Sequence, residues 1–325
     1  MISSFGRRQL GTVIGLVGLC VLLTILSPHF LTVSNLLNIT QQTAINALIA
    51  VGMTFVILSG GIDLSVGSIV ALAGVVLGAA LQAGVPIPVA ILLSLATGGA
   101  CGFVNGVLIT RGALPPFIAT LGMMSIARGL ALMYTDGRPV SGFDASFRAI
   151  STGSFLTIPA PVLLMLAIYT AAHFVLTHTT FGRYVYAIGG NEEATRLSGV
   201  RVGFHKTMVY ALSGVTSAVA AVTLTARLNS AQPIAGIMYE LDAIAATVIG
   251  GTSLLGGSGT VTGTLVGALI MGVLRNGLNL LGISSFVQQV VIGAVIIAAV
   301  LVDSLLNQRA QRRRAQRSVP VASSQ

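Results

Sequence analysis

Apolar stretches of bilayer-spanning length recur along this whole chain, at residues 10–27, 43–59, 65–83, 87–110, 115–134, 158–177, 206–226, 240–255, 260–281 and 286–305. About 20 such residues cross the hydrocarbon layer as a helix, because within lipid the backbone N–H and C=O groups must pair inside the segment. One large water-soluble core would instead need a charged shell. Only 8% of the 325 residues are charged, against about 25% in an ordinary soluble domain. The expected fold is all-α: a single transmembrane domain over 1–325, with about ten spans in a membrane region at 9–306 and a basic tail at 307–325. The 39 glycines suit closely packed helices, and the glycine-rich parts also admit half-helices or re-entrant segments.

Charge placement orients these spans. Leu10–Leu26 follow Arg7 and Arg8 without a small-x-small cleavage site, so they read as a retained first helix rather than a signal peptide. An even number of spans returns both termini to one side. With the termini inside, Arg7, Arg8, Arg111, Arg183, Arg196, Arg201, Lys206, Arg309, Arg312, Arg313, Arg314 and Arg317 face the cytoplasm. Only Arg128, Arg138, Arg148, Arg227 and Arg275 remain outside or at outer helix ends, as the positive-inside rule requires. Five of the 17 basic residues behind the net charge of +9 sit in a tail with no aromatic residues to stack bases, so it reads as a topology anchor and no nucleic-acid partner is expected. Cys20 and Cys101 lie in apolar runs, where they read as packing residues.

Against this background Ser59–Ser68, SGGIDLSVGS, stands out. A charge at a bilayer centre costs about 2.5–3.5 kcal/mol on insertion scales, and the flanking glycines place Asp63 at a break between two helices. Asp63 is expected to close that break by accepting hydrogen bonds from the N–H groups of Gly67, Ser68 and Ile69 and from the Ser65 hydroxyl. The competing roles are contact with a solute and carriage of a proton. Uncharged polar groups recur in the other spans: Asn38, Gln41, Gln42, Asn46, Asn105, Thr120, Asn276, Asn279, Gln288 and Gln289. Asp63, Ser65, Gln42, Asn46, Asn105, Thr120, Asn276 and Asn279 are the candidates to line a pathway or a helix break, since such groups bind a neutral polyhydroxylated solute. Hydrogen bonding between helices accounts equally for any single one of them.

Two polar segments separate the apolar ones. Tyr134–Ser154 is rich in turn residues. Phe181–Val202 carries helix signals: Asn191 as N-cap, Glu192 and Glu193 at the positive end of the dipole, and Gly199 as a stop. A short helix at about 192–198 would turn Ala194 and Leu197 to one side, which reads as a docking element on the membrane face. There is also an internal echo. Gly60-Gly61-Ile-Asp-Leu-Ser-Val-Gly67-Ser68 is matched by Gly256-Gly257-Ser-Gly-Thr-Val-Thr-Gly263-Thr264, as in a weak two-fold repeat of related halves.

Catalytic patterns are missing where they would be expected. Gly251–Ser258, GTSLLGGS, nearly spells a phosphate-binding loop, but Gly257 stands where its lysine must be. His173 and His178 are five apart, off the spacing that converges two imidazoles on one metal. No serine, histidine and carboxylate set marks a hydrolase. The residues therefore point to no enzyme site, and no metal or other cofactor is expected on the chain.

Five blocks carry a family likeness. They are SGGIDLSVGS; PPFIATLGMMSIARG at Pro115–Gly129; GRYVYAIGGNEEATRLSGV at Gly182–Val200; the long segment Ser230–Gly282; and AVLVD at Ala299–Asp303. Together they resemble the membrane permease subunit of bacterial monosaccharide ABC importers. The resemblance implies inward transport of a pentose-like sugar, ribose first, by alternating access in the bacterial cytoplasmic (inner) membrane. It further implies a cytoplasmic ATPase subunit with two nucleotide-binding domains that holds ATP and Mg, a periplasmic or extracellular sugar-binding protein, and a second permease copy. On this likeness Gly190, Asn191, Glu192, Glu193, Ala194, Arg196 and Leu197 form the coupling loop that meets the ATPase. The rival reading is an ion-coupled sugar carrier that needs no ATPase partner.

Overall fold

The computed structural model describes residues 2–317. The side chains of residues 2–9, 303 and 306–317 lie outside the described part. The anchoring expected of Arg7, Arg8, Arg309, Arg312, Arg313, Arg314 and Arg317, and the contacts of Asp303, therefore fall outside it.

The described residues form thirteen helices and four two-residue strands. In chain order these are α1 (Ile2–Leu26), α2 (Val33–Leu58), α3 (Val66–Gln82), α4 (Ile87–Thr110), α5 (Pro116–Thr135), β1 (Val140–Ser141), α6 (Ala145–Thr152), β2 (Ser154–Phe155) and β3 (Ile158–Pro159). There follow α7 (Ala160–His178), α8 (Thr180–Gly190), α9 (Glu192–Leu197), α10 (Val202–Leu228), β4 (Ser230–Ala231), α11 (Tyr239–Ile249), α12 (Val261–Leu280) and α13 (Ser285–Arg317). Nine of the ten expected spans fall on helices, and the tenth, 240–255, holds one only as far as Ile249. Seven helices of the described residues are long and apolar enough to cross a membrane: α2, α4, α5, α7, α10, α12 and residues 285–302 of α13. Residues 10–26 of α1 and all of α3 are shorter apolar helices.

Two differences from expectation bear on the site. The helix expected at 43–59 begins ten residues earlier, at Val33, where the Thr32 hydroxyl accepts the Asn35 N–H. The span expected at 240–255 is an eleven-residue helix, α11, too short to cross. It is a half-helix, entered through a left-handed Met238 and left at Gly250 and Gly251. Tyr134–Ser154 also holds more than turns: β1 pairs antiparallel with β4, Val140 opposite Ala231, and α6 packs Phe147 edge-on to Phe143.

The chain forms two compact units, one running through Gly282 and one from Ile283 onward, the second being α13 with its lead-in turn. In the first unit α2 is the axial helix. Residues 47–59 are all buried, as befits a helix that is apolar all round. α10, α11, α12 and α7 surround it. α4 lies along α10 so closely that a Cβ at Gly102 or Gly106 would strike the backbone of Tyr210 or Thr207, the small-residue packing that brings membrane helices together. The outer flank of α4 shows Leu92, Leu93, Phe103 and Val104, an apolar surface that lipid satisfies and water does not.

Candidate functional site

Three constellations lie along the first unit. α10 serves as the ruler: it runs from Val202, close after α9, to Leu228, close before β4. Its 27 residues rise about 40 Å at 1.5 Å each. α9 and the β1–β4 pair thus mark opposite ends of the bundle.

The first constellation is the α2–α3 break. Asp63 is fully buried and all its hydrogen bonds come from protein donors. Oδ1 accepts the Ser65 N–H at 3.0 Å and the Ser65 hydroxyl at 2.6 Å, and Oδ2 accepts the Ser213 hydroxyl of α10 at 2.8 Å. Asn105 of α4 donates its Nδ2 to Ser65 Oγ at 2.9 Å, and Thr120 of α5 reaches the Ile62 carbonyl at 3.5 Å. Asp63 therefore closes the break through the expected Ser65 hydroxyl, with the Ser65 N–H and the Ser213 hydroxyl in place of the expected N–H groups of Gly67, Ser68 and Ile69. Ser65 occupies the N-cap position, and the Ile69 N–H bonds the Ser65 carbonyl at 2.9 Å. Gly67 and Ser68 stand inside the helix, past the reach of a side chain two residues before its N-cap.

The second constellation surrounds the start of α11. Gln82 at the end of α3 donates to the Ser141 carbonyl in β1, so Gly67, fifteen residues earlier, sits about 22 Å down the helix from that end. Gly67 packs against the Gly236 backbone, and a Cβ there would meet Glu240 Oε2 at 2.6 Å. α11 therefore begins deep inside the bundle. Its first turn carries Glu240 and Asp242, which suit the positive end of a helix dipole. Asp242 Oδ2 accepts Arg275 Nη2 of α12 at 2.6 Å and Asn46 Nδ2 of α2 at 3.4 Å. The Asp242 side chain is 2% exposed and that of Arg275 36%. Arg128 of α5 donates to the carbonyls of Pro233 and Ala235 at 2.7 Å each, holding the segment that leads into α11.

The third constellation is α9. Asn191 Oδ1 accepts the Ala194 N–H at 2.9 Å, and Gly199 takes a φ of +83° past the end. These are the cap and the stop that the residue types require. Arg196 pairs with Glu192 and Glu193 at 3.0 and 3.2 Å, and Lys206 of α10 holds Glu192 at 3.0 Å. Ala194 and Leu197 share the open side, Leu197 being 80% exposed.

Residues 35–300 match the family model described as the permease component of the branched-chain amino acid transport system. The chain belongs to this permease family. The permease is 52% identical to the ribose import permease protein of Bacillus subtilis (strain 168), over 88% of this chain and 89% of that one. Identity to the ribose import permease protein of Escherichia coli (strain K12) is 51%, over 86% and 88% of the two chains. The D-allose transport system permease protein of the same strain is 42% identical over 82% and 83%.

The expected pathway residues of the permease do not form one group. Asp63, Ser65, Asn105 and Thr120 meet at the α2–α3 break, while Asn46 belongs to the Asp242 cluster. Asn276 exchanges hydrogen bonds with Asn35 at 2.8 and 3.1 Å, joining α12 to α2. Gln42 is half-buried one turn from Asn46, and Asn279 is exposed at the end of α12. Asp63 is joined by a second buried carboxylate, Asp242, that the candidate residues do not include. The signal was present, for Glu240 and Asp242 interrupt an apolar run as Asp63 does. Arg275, expected at an outer helix end, turns inward because Asp242 needs a counter-charge. Ser213 carried no signal, being one hydroxyl among many.

Proposed function

We propose that the permease is the membrane subunit of an ATP-driven, binding-protein-dependent importer of a monosaccharide, with ribose as its substrate. The observation that carries this is the half-identity, spread over most of the chain, to permeases named for ribose import. In this reading the protein crosses a bacterial cytoplasmic membrane about ten times with both termini inside, and two copies enclose the sugar route. α9 meets an ATPase subunit that holds ATP and Mg on its two nucleotide-binding domains, while a sugar-loaded receptor docks at the face carrying β1 and β4. The exposed Leu197 on a well-capped six-residue helix supports the docking role of α9.

Alternating access requires helices that change their mutual packing at mid-bundle, and two interrupted segments meet there: the break at Asp63 and the half-helix α11. Discontinuous helices of this kind line substrate routes in many transporters. Neutral amides such as Gln42 and Asn46 beside the Asp242–Arg275 pair offer a sugar both donors and acceptors. Asp63, saturated by Ser65 and Ser213, serves the break rather than the solute.

The test is uptake of labelled ribose and other sugars into proteoliposomes that contain the permease, its ATPase subunit and its receptor. ATP-dependent uptake that needs all three components is expected, with ribose preferred. Uptake by the permease alone, driven by a proton or sodium gradient, would overturn the proposal.

A further inference from the structure

The double glycines of the sequence echo meet in space, and what lies between them is the approach to α9. The Gly257 N–H donates to the Leu58 carbonyl at 3.0 Å, which joins the α11–α12 connection to the end of α2. Gly189, at the end of α8, is wedged into this joint: a Cβ there would overlap the Leu58 carbonyl and the Gly257 nitrogen. A Cβ on Gly256 would lie 3.0 Å from both Gly189 Cα and Gly60 N. Gly60, Gly189–Gly190 and Gly256–Gly257 thus stack backbone on backbone. Tyr186, one turn before Gly190, adds a hydrogen bond from its hydroxyl to the Gly259 carbonyl at 2.8 Å. Residue 190 is followed at once by the N-cap of α9.

α9 has a second tie. Lys206, with only 12% of its side chain exposed, reaches Glu192 at 3.0 Å; lysine is almost never so covered unless paired. Lys206, Tyr210 and Ser213 stand at i, i+4 and i+7, one face of α10. Each touches a different part of the same path. Lys206 holds α9. Tyr210, fully buried, lies so close over Gly61 that a Cβ there would overlap its hydroxyl. Ser213 bonds Asp63. Within about 10 Å of helix, one rigid face therefore runs from α9 to the carboxylate of the α2–α3 break.

We infer that α9 is geared to both interrupted segments, through Lys206 and α10 to the Asp63 break and through Gly189–Gly190 to the 256–257 connection, with Lys206 as the positioning residue that carries a push on α9 into the bundle. This rests on the proposal that α9 receives the ATPase. Close backbone packing on one side and, on the other, an ion pair whose Lys206 is covered while Glu192 is 39% exposed tie α9 to both segments. The echo has a physical role here: both connections present bare backbone to the same segment.

The experiment uses the complete complex in proteoliposomes and reads sugar uptake per ATP hydrolysed, together with cross-linking of a Leu197→Cys permease to the ATPase subunit. Lys206→Met keeps the length and apolar stem but loses the charge. It is expected to lower uptake per ATP at least tenfold while cross-linking and receptor-stimulated hydrolysis persist. Lys206→Arg should restore the ratio. Gly189→Ala, read per assembled complex, should lower it similarly, and Lys206→Met decides alone if the alanine variant does not assemble. Wild-type uptake per ATP in Lys206→Met, with the cross-link intact, overturns the gearing and leaves the docking role of α9 standing. Loss of the cross-link in the otherwise unaltered permease overturns both.

Discussion

The Ser213 hydroxyl donates to Asp63 Oδ2 at 2.8 Å across 150 residues of sequence. With Ser65 on the other oxygen, it makes the buried carboxylate a clasp between α3 and α10. Ser213→Ala should destabilise the protein by about 1–3 kcal/mol, the cost of a buried polar group that loses its partner.

Shape and charge at Asp63 can be separated. Asp63→Asn keeps an acceptor for Ser65, and the Ser213 hydroxyl can turn to accept from the amide, so assembly and partial uptake are expected. Asp63→Leu strands the Ser65 N–H and both hydroxyls and should lower the assembled complex in membranes several-fold, measured by native gel after extraction. Normal assembly of the leucine variant with failed transport would show that Asp63 serves the solute instead.

Arg275→Met leaves Asp242 as an uncompensated buried charge. Removing one partner of a fully buried pair costs about 3–5 kcal/mol. With Arg275 36% exposed and Asn46 still bonded to Asp242 the loss is smaller, and this variant should melt below wild type in detergent. Adding Asp242→Asn should recover much of the loss, because the charge disappears with its partner. Equal melting of Arg275→Met and wild type would show that the pair is not needed for stability.

Leu197→Asp should leave α9 folded, since the Asn191 cap and the Glu192–Arg196 pair do not involve it. An apolar side chain of this size contributes about 1.5–3 kcal/mol when covered, so the affinity for the ATPase subunit should fall by about tenfold or more. Unchanged co-purification of the two chains would count against docking through this face.

Purified permease alone should release no phosphate from ATP, with its ATPase subunit as positive control. Gly257 replaces the lysine of a phosphate-binding loop, and its N–H, which would face a phosphate, is engaged by Leu58. Hydrolysis above a mock preparation would refute this.

What is local, or summed along a helix, was legible from the residues alone. Hydropathy over some 20 residues placed every long helix, because lipid forces the backbone to pair within each segment. The α9 cap was legible for a similar reason: Asn191 and Ala194 are three residues apart, and their hydrogen bond needs nothing from the rest of the chain. The double-glycine echo was legible as a pattern but not as a contact. Tertiary structure alone decided which polar groups meet, because that depends on the rotation and depth of helices far apart in sequence. Asp63 found Ser213 rather than the N–H groups of Gly67 to Ile69 because α10 packs there and Ser65 takes the cap. Asp242 met Arg275 and Asn46 because α11 starts partway down the bundle, a depth no hydropathy window measures.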